Sequence, residues 1–336
     1  MKLKFFKYIC FLLMLVFISC TKTIDFEGDT PEQLLVMNSV LILDSVVKVH
    51  LSKSKFFLSN SSGFQNVGNA QVFLTINDSP KVLLTYLQDG VYKSSVKLKA
   101  NDVVLVTATA PNLKSVSSSE TVQPQLTILS IDTTQVKQAD TDFGYNQGNL
   151  YSKSGGDSII GHYYTRELRV KIKFQDNPNV QNFYCLNAYK LSTYAANKFS
   201  QGGQSIDNYT IKYDDVVFGN NSQENSTVDF EGSSNNNLFT DELINGKEYV
   251  LTFKTTVQIN EYLPGKEPVG ENKQNTLDLV IDFQQLSKGC YLYYKTVKAS
   301  NTVDFFAEPV QIYNNIKDGL GILGSYSHSV KTYKLQ

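Results

Sequence analysis

From residue 34 to residue 110 the apolar positions keep a beat of two. Val47, Val49 and Leu51 alternate with Lys48, His50 and Ser52, and Val72, Leu74 and Ile76 repeat the pattern. Side chains that alternate in this way belong to a β-strand with one wet face. Strands are predicted at Leu34–Leu43, Val46–Leu51, Gln71–Ile76, Val82–Leu87, Val91–Leu98 and Val103–Ala110, each bounded by turn residues. Asp89-Gly90 predicts a tight hairpin, because both positions tolerate positive φ. Strands at this spacing, with no helical period among them, predict a β-sandwich over residues 33–122.

Ser117-Ser118-Ser119 and Pro124 mark a hinge, after which a second, larger β-rich domain is expected over 123–336. Leu126–Ile131 opens it. Leu168, Val170, Ile172 and Phe174 alternate with Arg169, Lys171 and Lys173, the cleanest strand in the chain. Phe183–Tyr194, Tyr209–Phe218 and Glu248–Ile259 are further predicted strands, the last entered through an Asn245-Gly246 turn. Residues 137–160 and Gly219–Asn237 are polar and glycine-bearing and predict long loops. One segment changes period. Phe283, Leu286, Cys290, Tyr293, Tyr294 and Val297 recur every three or four positions and predict a helix over about 284–299, with Leu286, Cys290, Tyr293 and Val297 down one face. Extended structure returns over Phe305–Tyr313, and Gly321–Tyr333 closes the chain. The fold class is mainly β.

The amino terminus follows a different rule. Lys2, Lys4 and Lys7 precede an apolar run from Ile9 to Ile18, then Ser19 and Cys20. That order predicts a secretory signal peptide over 1–19. A run of about ten residues spans roughly 15 Å as a helix, half of the ~30 Å that crosses a bilayer. Phe17-Ile18-Ser19-Cys20 resembles a bacterial lipobox, so Cys20 is expected to carry lipid and residues 20–32 to form a polar tether. Attachment then rests on acyl chains.

Charge and cysteines narrow the partners. Without Lys2, Lys4 and Lys7, 28 basic residues face 32 acidic ones, a balance that gives no electrostatic reason for nucleic acid. Cys10 leaves with the leader and Cys20 is lipidated, so Cys185 and Cys290 remain. A disulfide between them is permitted outside the cytoplasm, and two separately buried thiols are the alternative.

Gly319-Leu320-Gly321-Ile322-Leu323-Gly324 spells a dinucleotide-binding fingerprint, yet only twelve residues follow it, none acidic. A tight turn after Asp318 and a closely packed strand are expected there instead. His50, His162 and His328 stand apart, without zinc-type spacing, and are expected at the surface. Asp176-Asn177-Pro178-Asn179 is oxygen-rich but lacks an EF-hand's glycine and distant glutamate, and predicts a turn. The 20 Tyr and 20 Phe are expected mostly in the core, with Tyr145, Tyr151, Tyr163, Tyr164 and Tyr194 in loops as a possible contact surface. No catalytic, cofactor or metal set is discerned.

Several motifs in order resemble one family. They are Cys20 followed by Ile24-Asp25-Phe26, Leu35 to Asn38, Val67 to Val72, Gly90-Val91-Tyr92, Asp176 to Tyr184, Phe239 to Glu242 with Gly246 and Tyr249, and Glu308 to Gly324. The chain is thereby similar to Bacteroidota outer-membrane lipoproteins that carry domain of unknown function 4249 (DUF4249). The resemblance implies an immunoglobulin-like or carboxypeptidase-regulatory-like N-terminal sandwich and a lipid anchor at the outer membrane, on the surface or periplasmic face. It implies companionship with a TonB-dependent transporter and its partner lipoprotein, and brings no catalytic residues. A non-enzymatic binding or accessory role, with a peptide or glycan ligand, is the expectation. A structural or adhesive envelope protein is the alternative, and a hydrolase with an unrecognised site stands third.

Overall fold

The computed structural model describes residues 32–56, 63–146, 149–152, 159, 161–194, 203–207, 211–218, 237–264, 274–301 and 310–335. One compact unit, Gln33–Lys55 and Ser61–Gln336, holds all of these except Glu32 and Phe56. Cys20, the leader and the tether apart from Glu32 lie outside the described residues, as does the Gly219–Asn237 loop except at Asn237.

The first half consists of β1 (Leu35–Ile42), β2 (Val46–Lys53), β3 (Gln71–Ile76), β4 (Val82–Leu83), β5 (Thr85–Tyr86), β6 (Val91–Lys97), β7 (Val103–Thr109) and β8 (Val116–Thr121). They form two layers, β1-β2-β6-β5 and β4-β3-β7-β8. Alternation turns Leu35, Met37, Leu41, Val49 and Leu51 of one layer toward Val72, Leu74, Val104 and Val106 of the other, in one buried cluster. The expected hairpin turn is present. Asp89 and Gly90 take φ of 49° and 78°, and the Val91 N–H donates to the Gln88 carbonyl at 2.8 Å. The single strand expected over Val82–Leu87 is instead two short ones. The chain changes layers at buried Leu84, whose N–H donates to the Val72 carbonyl.

The second half holds β9 (Thr127–Asn146), β10 (Asn149–Ser152), β11 (Gly161–Gln175), β12 (Phe183–Tyr194), β13 (Gly203–Asp207), β14 (Ile211–Lys212), β15 (Leu238–Thr240), β16 (Glu248–Tyr262), β17 (Gln274–Leu286), α1 (Lys288–Asn301) and β18 (Leu320–Lys334). The five-stranded sheet β10-β9-β11-β16-β14 shares a core with β12 and β17. Much of the loop expected at 137–160 is strand. β11 pairs with β9 from Gly161↔Phe143 to Gln175↔Thr127 and β10 carries the pairing on to Asn146, so backbone hydrogen bonds hold a sequence that has little to bury. Tyr163 and Tyr164 accordingly lie in β11. Within Tyr209–Phe218, expected as one strand, the described residues 211–218 hold β14 and a helical turn at Val216–Phe218.

The helix begins later than its periodicity predicts. Phe283 and Leu286 complete β17, where Leu286 pairs with Phe183 and Tyr326, and α1 starts at Lys288. Ser287 caps it. The hydroxyl oxygen accepts the Cys290 N–H at 3.3 Å and the carbonyl accepts the Tyr291 N–H at 2.9 Å. The packed face is Cys290, Tyr291 and Tyr294 rather than the stripe through Tyr293 and Val297. They cover Phe183, Cys185, Leu286 and Tyr326 on one face of β12, β17 and β18, while Tyr184, Leu186 and Ala188 of β12 enter the core on the other.

β18 closes the molecule. It runs parallel to β1, from Val36↔Leu320 to Ile42↔Tyr326, and antiparallel to β17, giving a nine-stranded sheet ordered β13-β12-β17-β18-β1-β2-β6-β5 with β15 also on β12. The glycine-rich run sits at this seam. Gly321 has φ of 117°, and a Cβ there would stand 2.2 Å from the Met37 carbonyl oxygen. The expected boundary at 122–123 falls between β8 and β9. One core is built from Leu35 to Val122 with Ile316 and Leu323, the other from Leu126 onward.

Candidate functional site

Two polar assemblies stand out, and they differ in access. The first lies where β11 turns into β12. Asp176 is 1% exposed and Asp241 2%. The Tyr184 hydroxyl donates to Asp176 Oδ1 at 2.5 Å, and the Gly246 N–H donates to Oδ2 at 2.6 Å. Asp241 Oδ2 accepts the Asn182 N–H at 2.8 Å, and Asn182 Nδ2 donates to the carbonyls of Asn177 and Val180 at 2.7 and 2.8 Å. Burial pushes the Asp176 carboxyl above the usual carboxylate range; the Tyr184 and Gly246 hydrogen bonds oppose the rise and Asp241 adds to it. Gly246 takes φ of 71°, and a Cβ there would meet Pro178 Cβ at 2.6 Å. These are the residues Asp176–Tyr184, Asp241 and Gly246 that carry much of the family resemblance. Both Asp176 oxygens are occupied and both carboxyl side chains are buried, so the assembly pins a turn.

The second assembly is open. A cavity of about 540 Å³ lies along the outer edge of β8, lined among others by Ser117, Ser119, Glu120, Lys288, Asn315 and Lys317. A neighbouring cavity of about 390 Å³ shares Lys288 and continues past Thr121, Gln123 and Pro124 to Val180 and Phe183. The two form a groove where β8, the start of α1 and the 313–317 segment meet. Asn315 ties that segment in place. Its Nδ2 donates to the Leu323 carbonyl at 2.8 Å, its Oδ1 accepts the Leu323 N–H at 2.9 Å, and its carbonyl accepts the Ser118 hydroxyl at 2.9 Å.

Glu120 is the acid of this groove. Ser287 donates its hydroxyl to Oε2 at 2.7 Å, and the Thr121 N–H donates to Oε1 at 2.9 Å. Burial raises its pKa and both hydrogen bonds resist. A carboxylate beside the first turn of a helix also meets favourable N–H dipoles. Ser287 is not poised as a nucleophile. It is 3% exposed, and its oxygen already accepts N–H groups of Cys290 and Ser325 while donating to Glu120. The groove therefore offers hydroxyls, amides, the Glu120 carboxyl and two ammonium groups.

The residues singled out in the sequence are scattered. His50 meets Asn66 Oδ1 at 3.1 Å, His162 meets Asp142 Oδ1 at 2.7 Å, and His328 lies 3.3 Å from Asp282 Oδ1. Among the described residues no three His, Cys, Asp or Glu side chains are grouped to hold a metal ion, and no helix is long and apolar enough to cross a membrane. Asn177 closes its turn by accepting the Asn179 N–H at 3.1 Å. Cys185 and Cys290 are free thiols in the same apolar cluster between α1 and the sheet, and burial pushes each up to about 12. Glu120, Ser287, Lys288 and Lys317 escaped the sequence reading. Glu120 and Ser287 stand 167 positions apart, and no local motif joins them.

No curated protein matches the chain. Residues 21–332 match the family described as Domain of unknown function (DUF4249). Because that match takes in nearly the whole chain, including both cores and the groove between them, the chain belongs to the DUF4249 family.

Proposed function

We propose that the protein is a non-enzymatic binding or accessory lipoprotein of a cell envelope, held at an outer membrane by acyl chains on Cys20. In this reading it serves a TonB-dependent uptake complex, either by capturing a peptide or glycan or by contacting the transporter and its companion lipoprotein. One observation carries it. The family match begins at residue 21, so a cut before Cys20 releases the leader and leaves the matched body whole behind a modifiable cysteine. The strand order supports an immunoglobulin-like N-terminal module, since β1-β2-β6-β5 opposite β3-β7-β8 repeats the A-B-E-D and C-F-G layers of that sandwich. The groove along β8 supplies a surface for a ligand.

Two measurements test the reading. Mass spectrometry of the membrane-extracted protein is expected to find acylated Cys20 as the first residue; a bare thiol with residues 1–19 still attached overturns the anchor. Purification from detergent-solubilised envelopes is expected to bring a transporter along. A chain that emerges alone and binds no peptide or glycan overturns the uptake role.

A further inference from the structure

β8 is an outer strand of its sheet, and its free edge is closed almost everywhere by the protein itself. At Ser117 the edge is paired. The Lys317 N–H donates to the Ser117 carbonyl at 2.8 Å, and the Ser117 N–H returns the bond at 3.4 Å. Antiparallel pairing alternates direction along a strand, so Ser119 and Thr121 turn their backbone groups the same way as Ser117. Thr121 is closed by side chains: its N–H donates to Glu120 Oε1 and its carbonyl accepts Gln123 Nε2 at 3.2 Å. Ser119 is left. Its N–H and C=O face the cavity and have no partner on that side among the described residues.

Two ammonium groups and one carboxyl border this gap. Lys288 and Lys317 are exposed, line the same cavity and form no ion pair among the described residues. Glu120, the acid there, is turned to Ser287 and the start of α1. An inserted strand has room to pair with one residue only, because the Lys317 bridge blocks one direction and the Glu120 and Gln123 bonds to Thr121 block the other. A chain interior cannot stop after one residue; a chain end can.

The geometry points to a binding site for the carboxyl end of a peptide. The last residues bridge to the N–H and C=O of Ser119, and the terminal carboxylate meets Lys288 and Lys317. This rests on the binding role proposed above and names its ligand class.

Titration calorimetry on the full chain tests it, with N-acetylated tetra-alanine as the free acid and as the C-terminal amide. The acid is expected to bind and the amide to bind about tenfold more weakly, the loss of two exposed charge contacts. Lys288→Ala and Lys317→Ala should each weaken the acid about threefold and shrink its advantage over the amide. Ser119→Pro deletes an N–H that serves no ladder bond, a change that sheet edges accept, and should abolish binding with the thermal midpoint held. If that variant fails to fold, the lysine variants decide. Equal binding of acid and amide, no binding of either at millimolar concentration, or full binding by folded Ser119→Pro overturns the site. Each of these results leaves co-purification with a transporter free to succeed or fail by itself.

Discussion

The two halves of the molecule are filled with different side chains. The first core is aliphatic, built on Leu, Val and Met around a single buried tyrosine, Tyr92. The second is aromatic. Phe174 meets Phe283 edge-on at 5.0 Å and 90°, Phe218 meets Phe239 at 5.2 Å and 82°, and Tyr184 stacks on Phe239 at 5.0 Å. Aliphatic cores gain from area and close fit, whereas rings add an orientation-dependent attraction of about 0.5–1.5 kcal/mol per pair. Each core also ends in a tyrosine that fastens a loop, but by different chemistry. Tyr92 donates to the Val67 carbonyl at 3.0 Å and accepts the Ala70 N–H at 2.9 Å. Tyr184 donates its hydroxyl hydrogen bond to a carboxyl, Asp176. The first fastening is neutral and the second is titratable, so pH should reach the two halves unequally.

The largest effect is expected where the rings converge. Phe283 touches Phe174, Tyr184 and Phe239, so Phe283→Ala should cost about 3–5 kcal/mol in denaturant unfolding. Leu74→Ala in the first core should cost about 2–4 kcal/mol. Equal losses would mean that ring geometry adds nothing beyond volume. The seam between the halves comes next. Gly321→Ala places a methyl against the Met37 carbonyl at a φ that side chains avoid, and should cost about 3 kcal/mol. Gly203→Ala meets no atom within 4 Å and should change stability by less than about 0.5 kcal/mol.

The tyrosine fastenings test the contrast directly. Tyr184→Phe leaves a buried carboxyl short of a donor and should cost about 2–3 kcal/mol. Tyr92→Phe removes a neutral bond pair and should cost about 1 kcal/mol. Loss of the same size in both would erase the distinction between neutral and charged fastening.

Period and turn chemistry made most of this fold legible. Strands β1, β2, β3, β6 and β7, the Asp89-Gly90 turn and the β11 alternation are all local, and local rules reach them. Four features lay beyond those rules. Ser117-Ser118-Ser119 reads as a hinge, and pairing with β7 makes it part of β8. Phe283 and Leu286 fit a helical stripe as well as a strand, and pairing with Phe183 and Tyr326 decides between them. Ser287 reads as a weak helix residue but is the cap that starts α1. The polar residues of β9 look like loop because side-chain periodicity does not register the backbone pairing to β11. The groove was least visible, since Ser118 meets Asn315 across 197 positions and Ser287 meets Glu120 across 167.

Acid should act in a direction opposite to that of a salt-bridged carboxylate. Glu120 and Asp176 both have pKa values raised above their ordinary 4.5 and 3.8, chiefly by burial. A carboxyl raised on folding holds its proton more tightly in the native state, so its contribution to stability falls as pH rises through the interval above the ordinary value. Lowering pH from neutrality toward those ordinary values should therefore relieve part of the cost of burying these groups. Glu120→Gln should flatten that part of the stability–pH curve, and Asp176→Asn should flatten it again in the second half. A wild-type curve that both variants reproduce would show that neither carboxyl is strained by burial.

The smallest effect concerns the thiols, both of which belong to the half that α1 covers. With each pushed up to about 12 by burial, almost no thiolate exists at neutral pH, and thiolate is the species that reacts. Native protein should resist iodoacetamide at pH 8, and both cysteines should label together once denaturant unfolds the chain. The contrast between the halves sharpens this. Gly324 lets Cys290 pack against β18, where a Cβ would lie 3.0 Å from Cys290 Cβ. Gly324→Ala should loosen α1 and expose Cys290 to reagent before the first core melts. Labelling of Cys290 in step with global unfolding, in that variant, would instead bind the helix to the cooperative core of the whole sheet.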